Sequence, residues 1–401
     1  MKLLLNAGTL QASGPCQVMR SFLAECIAFP QHEYHVFISP AVQREIVKIS
    51  FPDNFHFYLF EKHPLYSIFS RNLFSVLKRY HRLEQEIHPD CVFALFGPMW
   101  WKSKAPCVAG YASGQFIFDE SPYFKRLSLP GKLKLKIHKT MFYIALRREA
   151  AYYITETEIA RQRLAKWINF PLDRIFVVSN TCSEIYKNFR PGADVLPEKK
   201  TNEFRMFISA LNQPHKNLDV LNKVIPLLRK RCSNWKFTFV TTVTASYYEE
   251  HFDDNVKSSI INLGRIPAEL CPQIYSECDA LFLPTLLECF SASYPEAMFM
   301  KKPILTSNLV FATDICGKAA LYFDPEAPID IADKIIMLVQ NPVLQLELIQ
   351  IGQERIAFFP TSWQRTEQYL EICEKTSQGQ IMSGNCAHFE RGHLKKGLFS
   401  D

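Results

Sequence analysis

The chain lacks any long apolar run. No window approaches the roughly 20 apolar residues that a membrane-spanning helix needs. The N-terminal sequence MKLLLNAGTLQASG holds only a short apolar run at residues 3–5, which is too short for the core of a signal peptide. These two absences predict a cytoplasmic protein that does not cross a membrane.

Metal-binding cysteine patterns are missing as well. Twelve cysteines are present, but their spacing is irregular, no Cys-x-x-Cys occurs, and cysteines and histidines do not cluster. Zinc and iron–sulfur sites are therefore not expected. In a large chain with such spacing, we expect the thiols to be reduced and mostly buried.

The composition excludes further classes of protein. Of 401 residues, 48% are apolar, 21% are charged and 13% are aromatic. So large an aromatic share excludes disorder, collagen-like repeats and coiled coils, and the length predicts two or three domains.

The net charge of +6 is distributed unevenly along the chain. Residues 1–195 carry 25 basic and 16 acidic side chains, a net +9, whereas the remainder carries a net −3.

Short apolar runs alternate along the chain with longer amphipathic stretches, which predicts an α/β fold with parallel sheets. The predicted strands are 2–5, 34–38, 55–60, 91–95, 107–109, 152–155, 175–178, 205–209, 236–241, 260–263, 280–284, 303–306 and 320–323. The predicted helices are 17–29, 68–87, 218–231, 270–278, 291–300, 329–339 and 362–373. The polar segment 188–202, with a glycine and two prolines, is interpreted as the linker between two doubly wound domains.

The most informative stretch is residues 262–324. After its strand 280–284 comes Glu288 on a loop, and then the small-residue turn Ser291-Ala292-Ser293 opens a helix that bears Glu296. Backbone N–H groups and the dipole at a helix start favour a phosphate. A carboxylate one turn further in repels a phosphate, but it can accept two hydrogen bonds from a vicinal diol such as a ribose.

A lysine is expected in the same crevice at the carboxyl ends of the strands, where such sheets bind ligands. Strand 205–209 is followed by His215, Lys216 and Asn217 at a helix start, and Lys216 can neutralise a diphosphate there. His215 is interpreted as a capping or packing residue. One nucleotide-sugar would satisfy the lysine, the helix start and both glutamates, with Glu288 holding hydroxyls of the sugar.

These residues resemble the donor domain of glycosyltransferase family 4, retaining group 1 glycosyl transferases with the GT-B fold. That fold is α/β, with two doubly wound Rossmann-like domains facing across a cleft. Glu288 and Glu296 match the family's paired glutamates, and Lys216 matches its phosphate-binding lysine. The sequences IYSECDALFLPT, PEAM and KPI fit the family as well. The resemblance is strong over residues 204–340 and weaker, but compatible, before them.

The resemblance implies a division of the chain. Residues 1–195 would form the N-terminal acceptor-binding domain and residues 203–360 the C-terminal domain that binds the nucleotide-sugar donor. Residues 361–375 would form a helix crossing back to the first domain, and residues 376–401 a tail.

The resemblance also implies residue roles. Glu288 would be the catalytic residue at the donor sugar, Glu296 would hold the ribose and Lys216 the diphosphate. Three further sets of donor-binding residues are expected near the base and the phosphates: Arg265 and Ile266, the turn of Ser291, Ala292 and Ser293, and Gly14 in the loop 6–15.

The chain departs from the family pattern around the first glutamate, where Cys289 and Ser291 replace the usual glycines. Leu211 stands where an arginine usually precedes the lysine, so Arg265 is a candidate for the missing charge. Residues 108–118 contain no histidine, although many members carry one near the reacting carbon. The nearby Asp119 and Glu120 are therefore candidates for the acceptor side.

No Asp-x-Asp occurs in the chain. Enzymes that hold a nucleotide diphosphate through Mg²⁺ or Mn²⁺ usually need such a carboxylate pair. We therefore expect no metal and no cofactor, with Lys216 and the helix dipole stabilising the leaving diphosphate. The resemblance implies that the anomeric configuration is retained.

A basic stretch lies between residues 121 and 148, with eight Lys or Arg and no acidic residue. Lys132, Lys136 and Lys139 recur at helical spacing beside an apolar stripe of Leu133, Ile137, Met141 and Ile144. Such a helix can pack its apolar side and leave a solvated basic face. Alternatively it can rest on anionic lipid headgroups at the inner face of the membrane, which would suit a lipid-linked acceptor. A nucleic-acid partner is not expected, because aromatic residues do not interleave with the basic ones.

The sequence thus predicts a metal-independent hexosyl-type glycosyltransferase of polysaccharide or lipopolysaccharide biosynthesis. Its partners would be a nucleotide-sugar and a glycan or lipid-linked oligosaccharide. Two alternatives stay open at this point. One is a nucleotide-sugar epimerase or phosphorylase on the same fold, and the other is a homologue that binds a nucleotide or glycan without catalysis.

Overall fold

The computed structural model describes residues 1–11, 13–62, 73–209 and 212–380. They divide into two compact units. Unit 1 comprises Met1–Ala112, Lys139–Val178 and the chain from Thr366 onward, and unit 2 comprises Ser113–His138 and Ser179–Arg365. Leu211 and residues 381–401 of the predicted tail lie outside the described residues. These units differ from the predicted domain bounds, because Ser113–His138 belongs to unit 2 and unit 2 resumes before the predicted linker.

Unit 1 contains a seven-stranded parallel sheet in the order β3-β2-β1-β4-β5-β6-β7. Its strands are β1 (Lys2–Ala7), β2 (Glu33–Ile38), β3 (Phe55–Leu59), β4 (Cys91–Ala94), β5 (Cys107–Tyr111), β6 (Tyr152–Thr155) and β7 (Ile175–Val177). All seven were predicted, since strands buried on both faces of a parallel sheet appear in the sequence as short continuous apolar runs.

The helices of residues 1–178 are α1 (Ser13–Cys26), α2 (Pro40–Ile46), α3 (Leu73–Ile87), α4 (Leu129–Glu149) and α5 (Glu158–Ile168). The part of α4 up to His138 belongs to unit 2, and the part from Lys139 belongs to unit 1. The first residues of the predicted helix 68–87 lie outside the described residues. Two short helices, α2 and α5, are capped by hydroxyl side chains: Ser39 accepts from Val42 N, and Thr157 accepts from Ala160 N. Such caps satisfy N–H groups that have no partner within the helix.

Unit 2 contains a six-stranded parallel sheet in the order β10-β9-β8-β11-β12-β13. Its strands are β8 (Glu203–Ile208), β9 (Lys236–Thr241), β10 (Ile260–Asn262), β11 (Ala280–Leu283), β12 (Ile304–Ser307) and β13 (Ala320–Phe323). Its helices are α6 (Glu184–Lys187), α7 (Leu221–Arg231), α8 (Ala245–His251), α9 (Asp254–Lys257), α10 (Cys271–Glu277), α11 (Ser293–Phe299), α12 (Val310–Cys316), α13 (Pro328–Gln340) and α14 (Pro342–Ile356). All six strands were predicted.

The two central strands of unit 2 position the candidate site. β8 pairs with β11 in parallel, so their carboxyl ends lie at the same edge of the sheet. The loops that follow these strands carry Lys216 and Glu288, respectively. Lys216 and Glu288 are thus close together because their strands are neighbours in the sheet.

The last helix, α15 (Ser362–Ser377), begins at the predicted residue and ends four residues later than predicted. Its first four residues belong to unit 2 and the remainder to unit 1. Within unit 1, Tyr369 packs edge-on against Phe22, with ring centroids 5.6 Å apart. This aromatic contact anchors α15 in the core of unit 1.

Eleven of the twelve cysteines lie in the part of the chain that the structure describes. All eleven are free thiols, and every one except Cys271 is buried, as predicted. Among the described helices, no single one is long and apolar enough to cross a membrane. The pair α13 and α14, bent by 96°, satisfies length and composition only when taken together.

Candidate functional site

Two loops at the carboxyl edge of the unit 2 sheet are bonded to each other through their backbones. The backbone N–H of Leu286 donates to the carbonyl oxygen of His215 over 2.7 Å. The Thr285 hydroxyl donates to the same oxygen over 3.2 Å. These bonds hold the loop after β11 against the loop after β8, so that side chains from both converge.

Lys216 and Glu288 form an ion pair at this meeting point. Their side chains are only 14% and 13% exposed, and the Thr285 hydroxyl lies 3.2 Å from the same carboxylate oxygen. The structure therefore brings together two residues that the sequence analysis assigned to one ligand. An anionic ligand that reaches Lys216 must compete with Glu288 for the ammonium group.

The position of Lys216 depends on a tight backbone turn. Lys216 ends the 3₁₀ turn Pro214–Lys216, and Asn217 follows in the left-handed conformation with φ of 58°. Asparagine tolerates this conformation better than most residues. The buried Asn217 side chain fixes the turn by donating from Nδ2 to the carbonyl of Pro325 over 3.1 Å and by accepting from the Arg126 guanidinium.

Glu296 lies on α11 beside two buried tyrosines. The Tyr275 hydroxyl is 3.4 Å from Oε2 of Glu296, and Tyr186 also donates to this carboxylate. Part of the Glu296 surface stays accessible. Desolvation nevertheless raises the pKa of Glu296 to about 7, because it outweighs the two tyrosine hydrogen bonds, which lower the pKa. Sequence reasoning missed both tyrosines, because nothing in their spacing connects them to Glu296.

The predicted small-residue turn opens α11 two residues later than expected, at Ser293 rather than Ser291. Ser291 and Ala292 precede the helix, and their carbonyls accept from Tyr294 N and Glu296 N, respectively. Ser291 and Ser293 are buried, whereas Ala292 is half-buried. These three residues therefore lie close to Glu296 along the chain, and Ser293 shares its helix.

Arg265 and Ile266 follow the edge strand β10, which β9 separates from β8. Gly264 begins this turn with φ of +69°, and its N–H donates to the Asn262 side chain over 3.2 Å. Arg265 is exposed and Ile266 is half-buried. Their loop thus lies two strands away from the loop that carries Lys216.

Gly14 lies in unit 1 rather than among the unit 2 residues. The expectation of a loop over residues 6–15 is wrong, because β1 extends to Ala7 and α1 begins at Ser13. Gly14 and Pro15 therefore form the first turn of α1, where proline is tolerated because its missing N–H would have no helical partner. The proposed contact of Gly14 with phosphates stays a prediction.

The segment Ser113–His138 contacts the Glu288 loop directly. A Cβ built on Gly114 would stand 2.5 Å from the Glu288 carbonyl oxygen, so the two backbones are in close contact. Further along, the Ser121 hydroxyl donates to the Leu286 carbonyl over 2.6 Å. The sequence signal that could have identified this segment is Gly114 itself, which stands just before the bulky run Phe116-Ile117-Phe118.

A cavity of about 90 Å³ lies between this segment and the loops after β11 and β12. Its walls are mostly apolar, and they are formed by Phe118, Glu120, Ser121, Leu286, Asn308, Leu309, Val310 and Phe311. Asp119 and Glu120 are both exposed. Of these two predicted acceptor-side residues, only Glu120 lines the cavity.

Helix α4 carries the predicted basic residues. Lys132 and Lys136 are exposed and Lys139 is half-buried. Three members of the apolar stripe, Leu133, Ile137 and Ile144, are exposed as well. Most of the stripe therefore faces solvent in the chain taken alone.

Residues 204–341 match the model of the family described as Glycosyl transferases group 1. The matched range agrees with the predicted resemblance over residues 204–340. Family 4 itself stays a prediction. An O-antigen chain mannosyltransferase B of Escherichia coli is 23% identical over 202 residues. That alignment covers 48% of this chain and about half (52%) of the relative.

Two solved structures are similar over nearly the whole chain. Sucrose-phosphate synthase from Thermosynechococcus elongatus has a TM-score of 0.71 at 14% identity and covers 95% of this chain and 100% of its own. The Anabaena protein HepE, in complex with UDP and glucose, has a TM-score of 0.66 at 13% identity, with 94% and 100% covered. At such low identity the likeness establishes the fold alone. The predicted GT-B fold class is confirmed.

Proposed function

We propose that the protein is a glycosyltransferase that moves a sugar from a nucleotide-sugar to a glycan or lipid-linked saccharide. The observation that carries this proposal is the Lys216–Glu288 pair at the carboxyl ends of β8 and β11, within the range that matches the family model. A lone surface lysine or glutamate would not carry it. Here the two are mostly buried, held by bonded loops, and followed on the next helix by Glu296.

Lys216 binds the diphosphate of the donor in this proposal. The ammonium group exchanges Glu288 for phosphate oxygens when the donor enters, and it stabilises the negative charge that the diphosphate gains as the sugar leaves. Glu288, once separated from the lysine, accepts hydrogen bonds from hydroxyls of the donor sugar. The pair thus keeps both side chains in place until the donor separates them.

Glu296 binds the ribose in this proposal. A carboxylate can accept one hydrogen bond from each hydroxyl of a vicinal diol. The diol replaces the weak contact of 3.4 Å from Tyr275. Because the HepE structure contains UDP, uridine nucleotides are the first to test.

Two finer features belong to the same proposal. Transfer proceeds without a metal, because the chain offers Lys216 and no Asp-x-Asp pair for the diphosphate. It proceeds with retention, as in the family that the paired glutamates resemble. Chelator-insensitive transfer and the anomeric configuration of the product, read by NMR, test these two features separately.

The experiment begins with a thermal-shift screen of UDP, GDP, ADP, dTDP and CMP. A nucleotide present at 100 times its dissociation constant stabilises the protein by about 2.7 kcal/mol. The matching radiolabelled nucleotide-sugar is then incubated with and without glycan acceptors, and free nucleotide and labelled glycan are both measured. Glu288→Gln removes the proposed catalytic carboxylate, and Glu347→Gln, an exposed glutamate on α14, is the matched control.

The outcomes separate the competing functions. Labelled glycan formed by the wild type and by Glu347→Gln, but not by Glu288→Gln, supports the transferase. Conversion of the nucleotide-sugar to a different nucleotide-sugar, without labelled glycan, indicates an epimerase. Formation of a labelled sugar phosphate that requires inorganic phosphate and no glycan acceptor indicates a phosphorylase. Nucleotide binding with no turnover under any condition indicates a binding protein without catalysis.

We also propose that α4 attaches the protein to an anionic membrane surface, which places it in the cytoplasm at the inner face of the membrane. Exposed Leu133 and Ile137 lie beside exposed Lys132 and Lys136 on the same helix. Apolar side chains that enter the headgroup boundary and lysines that meet anionic lipids are typical of interfacial helices. Such attachment would bring the site to a lipid-linked acceptor of polysaccharide or lipopolysaccharide synthesis.

A further inference from the structure

A cluster of metal-ligating side chains lies in unit 1, at the edge of the sheet formed by β2 and β3. Glu33 and His35 lie two residues apart on β2 and therefore share one face of the sheet. His56 on β3 is the register partner of His35. The parallel register thus collects two imidazoles and a carboxylate from two separate strands.

The three side chains are close enough to share one ion. Nε2 of His35 is 2.8 Å from Oε1 of Glu33, and Nε2 of His56 is 3.7 Å from the same oxygen. One ligand atom from each residue lies within 4.8 Å of the others. Tetrahedral zinc holds its ligands at about 2.0–2.2 Å, which sets ligand atoms about 3.3 Å apart. The side chains of Glu33 and His56 are each 43% exposed, so modest rotations reach that spacing.

Tyr58 orients the buried member of the cluster. Its hydroxyl lies 3.0 Å from Nδ1 of His35, which leaves Nε2 to face Glu33. Such a hydrogen bond on the second ring nitrogen is typical of metal-binding histidines.

We propose that Glu33, His35 and His56 bind a divalent transition-metal ion of the zinc class, with water completing the coordination. Imidazole ligands favour zinc, copper and nickel, whereas magnesium and calcium take oxygen ligands. The exposed sides of Glu33 and His56 provide an entry path and room for water. Lys2, with Nζ 3.9 Å from Oε1 of Glu33, is displaced into solvent when the metal binds.

The ion joins the edge strand β3 to β2 and stabilises unit 1. The cluster lies in the amino halves of both strands, whereas ligands of such sheets bind at the carboxyl ends. The metal site is therefore independent of the proposed transfer reaction. It departs from the predicted absence of a zinc site, because its ligands are assembled by strand register rather than by a short spacing in sequence.

Calorimetric titration with zinc chloride tests the site, using the full chain without a polyhistidine tag and after removal of metals by a chelator. The wild type should bind one zinc ion that His56→Ala does not bind, and Glu33→Gln should weaken binding at least tenfold. Tyr58→Phe should keep the stoichiometry and weaken binding about tenfold, as expected for a residue that orients a ligand. His88→Asn is the control. It removes an exposed histidine of the same unit, and asparagine suits the φ of 51° there.

Two readouts distinguish this site from the thiols of the chain. Zinc should raise the melting temperature of the wild type and of His88→Asn, but not that of His56→Ala. Cobalt bound in place of zinc should give visible absorption bands that disappear in His56→Ala. Equal binding by the wild type and His56→Ala would assign the zinc to other groups and overturn the proposal. A wild type that binds no zinc in excess would leave only a hydrogen-bonded network and overturn it as well.

Discussion

Gly114 packs its α-carbon directly against the backbone of Glu288. A Cβ built on Gly114 would stand 2.5 Å from the Glu288 carbonyl oxygen and 2.8 Å from its carbonyl carbon. Real Cβ atoms do not approach backbone so closely, so only glycine fits at this position without a shift. The segment after β5 therefore sets the position of the loop that bears the proposed catalytic glutamate.

Replacing Gly114 with alanine should displace the Glu288 loop. The contact is with backbone, so no side-chain rotation can relieve it. Overpacking of this kind costs about 1–3 kcal/mol of stability. A misplacement of about 1 Å at a reacting group can cost about 100-fold in rate. We expect kcat for sugar transfer to fall by about 10- to 100-fold, measured with the labelled donor, while the protein stays folded by circular dichroism.

Gly192→Ala is the matched control for this substitution. Gly192 belongs to the same unit, and a Cβ there would meet nothing within 4 Å. Its N–H donates to the Gln273 side chain, and alanine keeps that donor. The control should transfer sugar at the wild-type rate. Wild-type kcat in Gly114→Ala would mean that this contact does not position Glu288.

The strands could be predicted from sequence because each is a local signal. β1, for example, is a run of Leu3, Leu4 and Leu5, all fully buried, and such runs are typical of sheets covered on both faces. Lys216 and Glu288 could be predicted together because each follows a predicted strand, and parallel strands end at one edge of the sheet. Parallel strand direction is enough to place the loops that carry the two residues at the same edge.

Other parts of the site depend on contacts between distant segments, which local patterns do not encode. The approach of Gly114 to Glu288, and that of Tyr186 to Glu296, join parts of the chain with no shared periodicity. The start of α1 was misplaced for a different reason. Gly14 and Pro15 read as a loop by composition, whereas proline also fits the first turn of a helix.

Lys216→Met and Glu288→Gln should move nucleotide affinity in different directions. Lys216→Met removes a charged hydrogen-bond donor worth about 1.5–3 kcal/mol, so the dissociation constant for a nucleoside diphosphate should rise about 10- to 100-fold. Glu288→Gln removes the carboxylate that competes with the phosphate for the Lys216 ammonium group. Affinity should stay unchanged or increase, while transfer is lost. Calorimetry measures binding, and the labelled donor measures transfer.

Thr244→Ser is a control for both variants, since it keeps the hydroxyl that caps α8 in the same unit. It should leave binding and transfer unchanged. Weaker nucleotide binding in Glu288→Gln, as large as that in Lys216→Met, would contradict the assigned roles. It would mean that Glu288 supports the diphosphate rather than the sugar.

Glu296 should make donor binding depend on pH. Burial raises its pKa to about 7, whereas a ribose diol is held best by the ionised carboxylate. Affinity for a nucleotide-sugar should therefore rise as the pH increases through 7 and level off above it. Below 7 it should weaken by up to about tenfold per pH unit. A nucleotide-sugar is the correct probe, because its diphosphate diester does not titrate near neutral pH.

Glu296→Gln should flatten this pH profile and reduce discrimination between ribose and 2′-deoxyribose. The amide does not ionise, and it replaces one of the two acceptor oxygens with a donor. Calorimetry with both nucleotides at pH 6 and pH 8 checks both effects. A pH profile that persists in Glu296→Gln would show that another group is responsible.

Glu149 should make the stability of unit 1 depend on pH. It is buried at the end of α4 and accepts from Met99 N over 2.7 Å and from Trp100 N over 2.8 Å. Burial raises its pKa to about 7 in spite of these bonds. The unfolded chain ionises Glu149 near pH 4.5 and the folded chain only near pH 7. Its contribution is therefore fully present below pH 4.5 and is lost as the pH rises to 7.

The free energy of unfolding that depends on Glu149 decreases by about 3 kcal/mol between pH 4.5 and pH 7. Urea unfolding between pH 5 and pH 8 should show a steeper decline of stability for the wild type than for Glu149→Gln, which cannot ionise. Glu86→Gln, at an exposed glutamate of the same unit, should decline like the wild type. Parallel profiles for Glu149→Gln and the wild type would refute the assignment to Glu149.

Leu133→Glu should weaken binding to anionic vesicles. Leu133 is 61% exposed on α4, and an inserted leucine contributes about 1.5–3 kcal/mol to membrane binding. Its replacement should therefore lower the partition coefficient at least tenfold.

Lys132→Gln combined with Lys136→Gln should weaken membrane binding by about 1 kcal/mol per lysine, and only on anionic lipid. Leu346→Glu is the control, because Leu346 is 67% exposed on a different helix, α14. Co-sedimentation with phosphatidylglycerol vesicles measures binding, with phosphatidylcholine vesicles as the neutral comparison. Equal losses in Leu133→Glu and Leu346→Glu would rule out α4 as the attachment surface, since the effect would then be one of added negative charge alone.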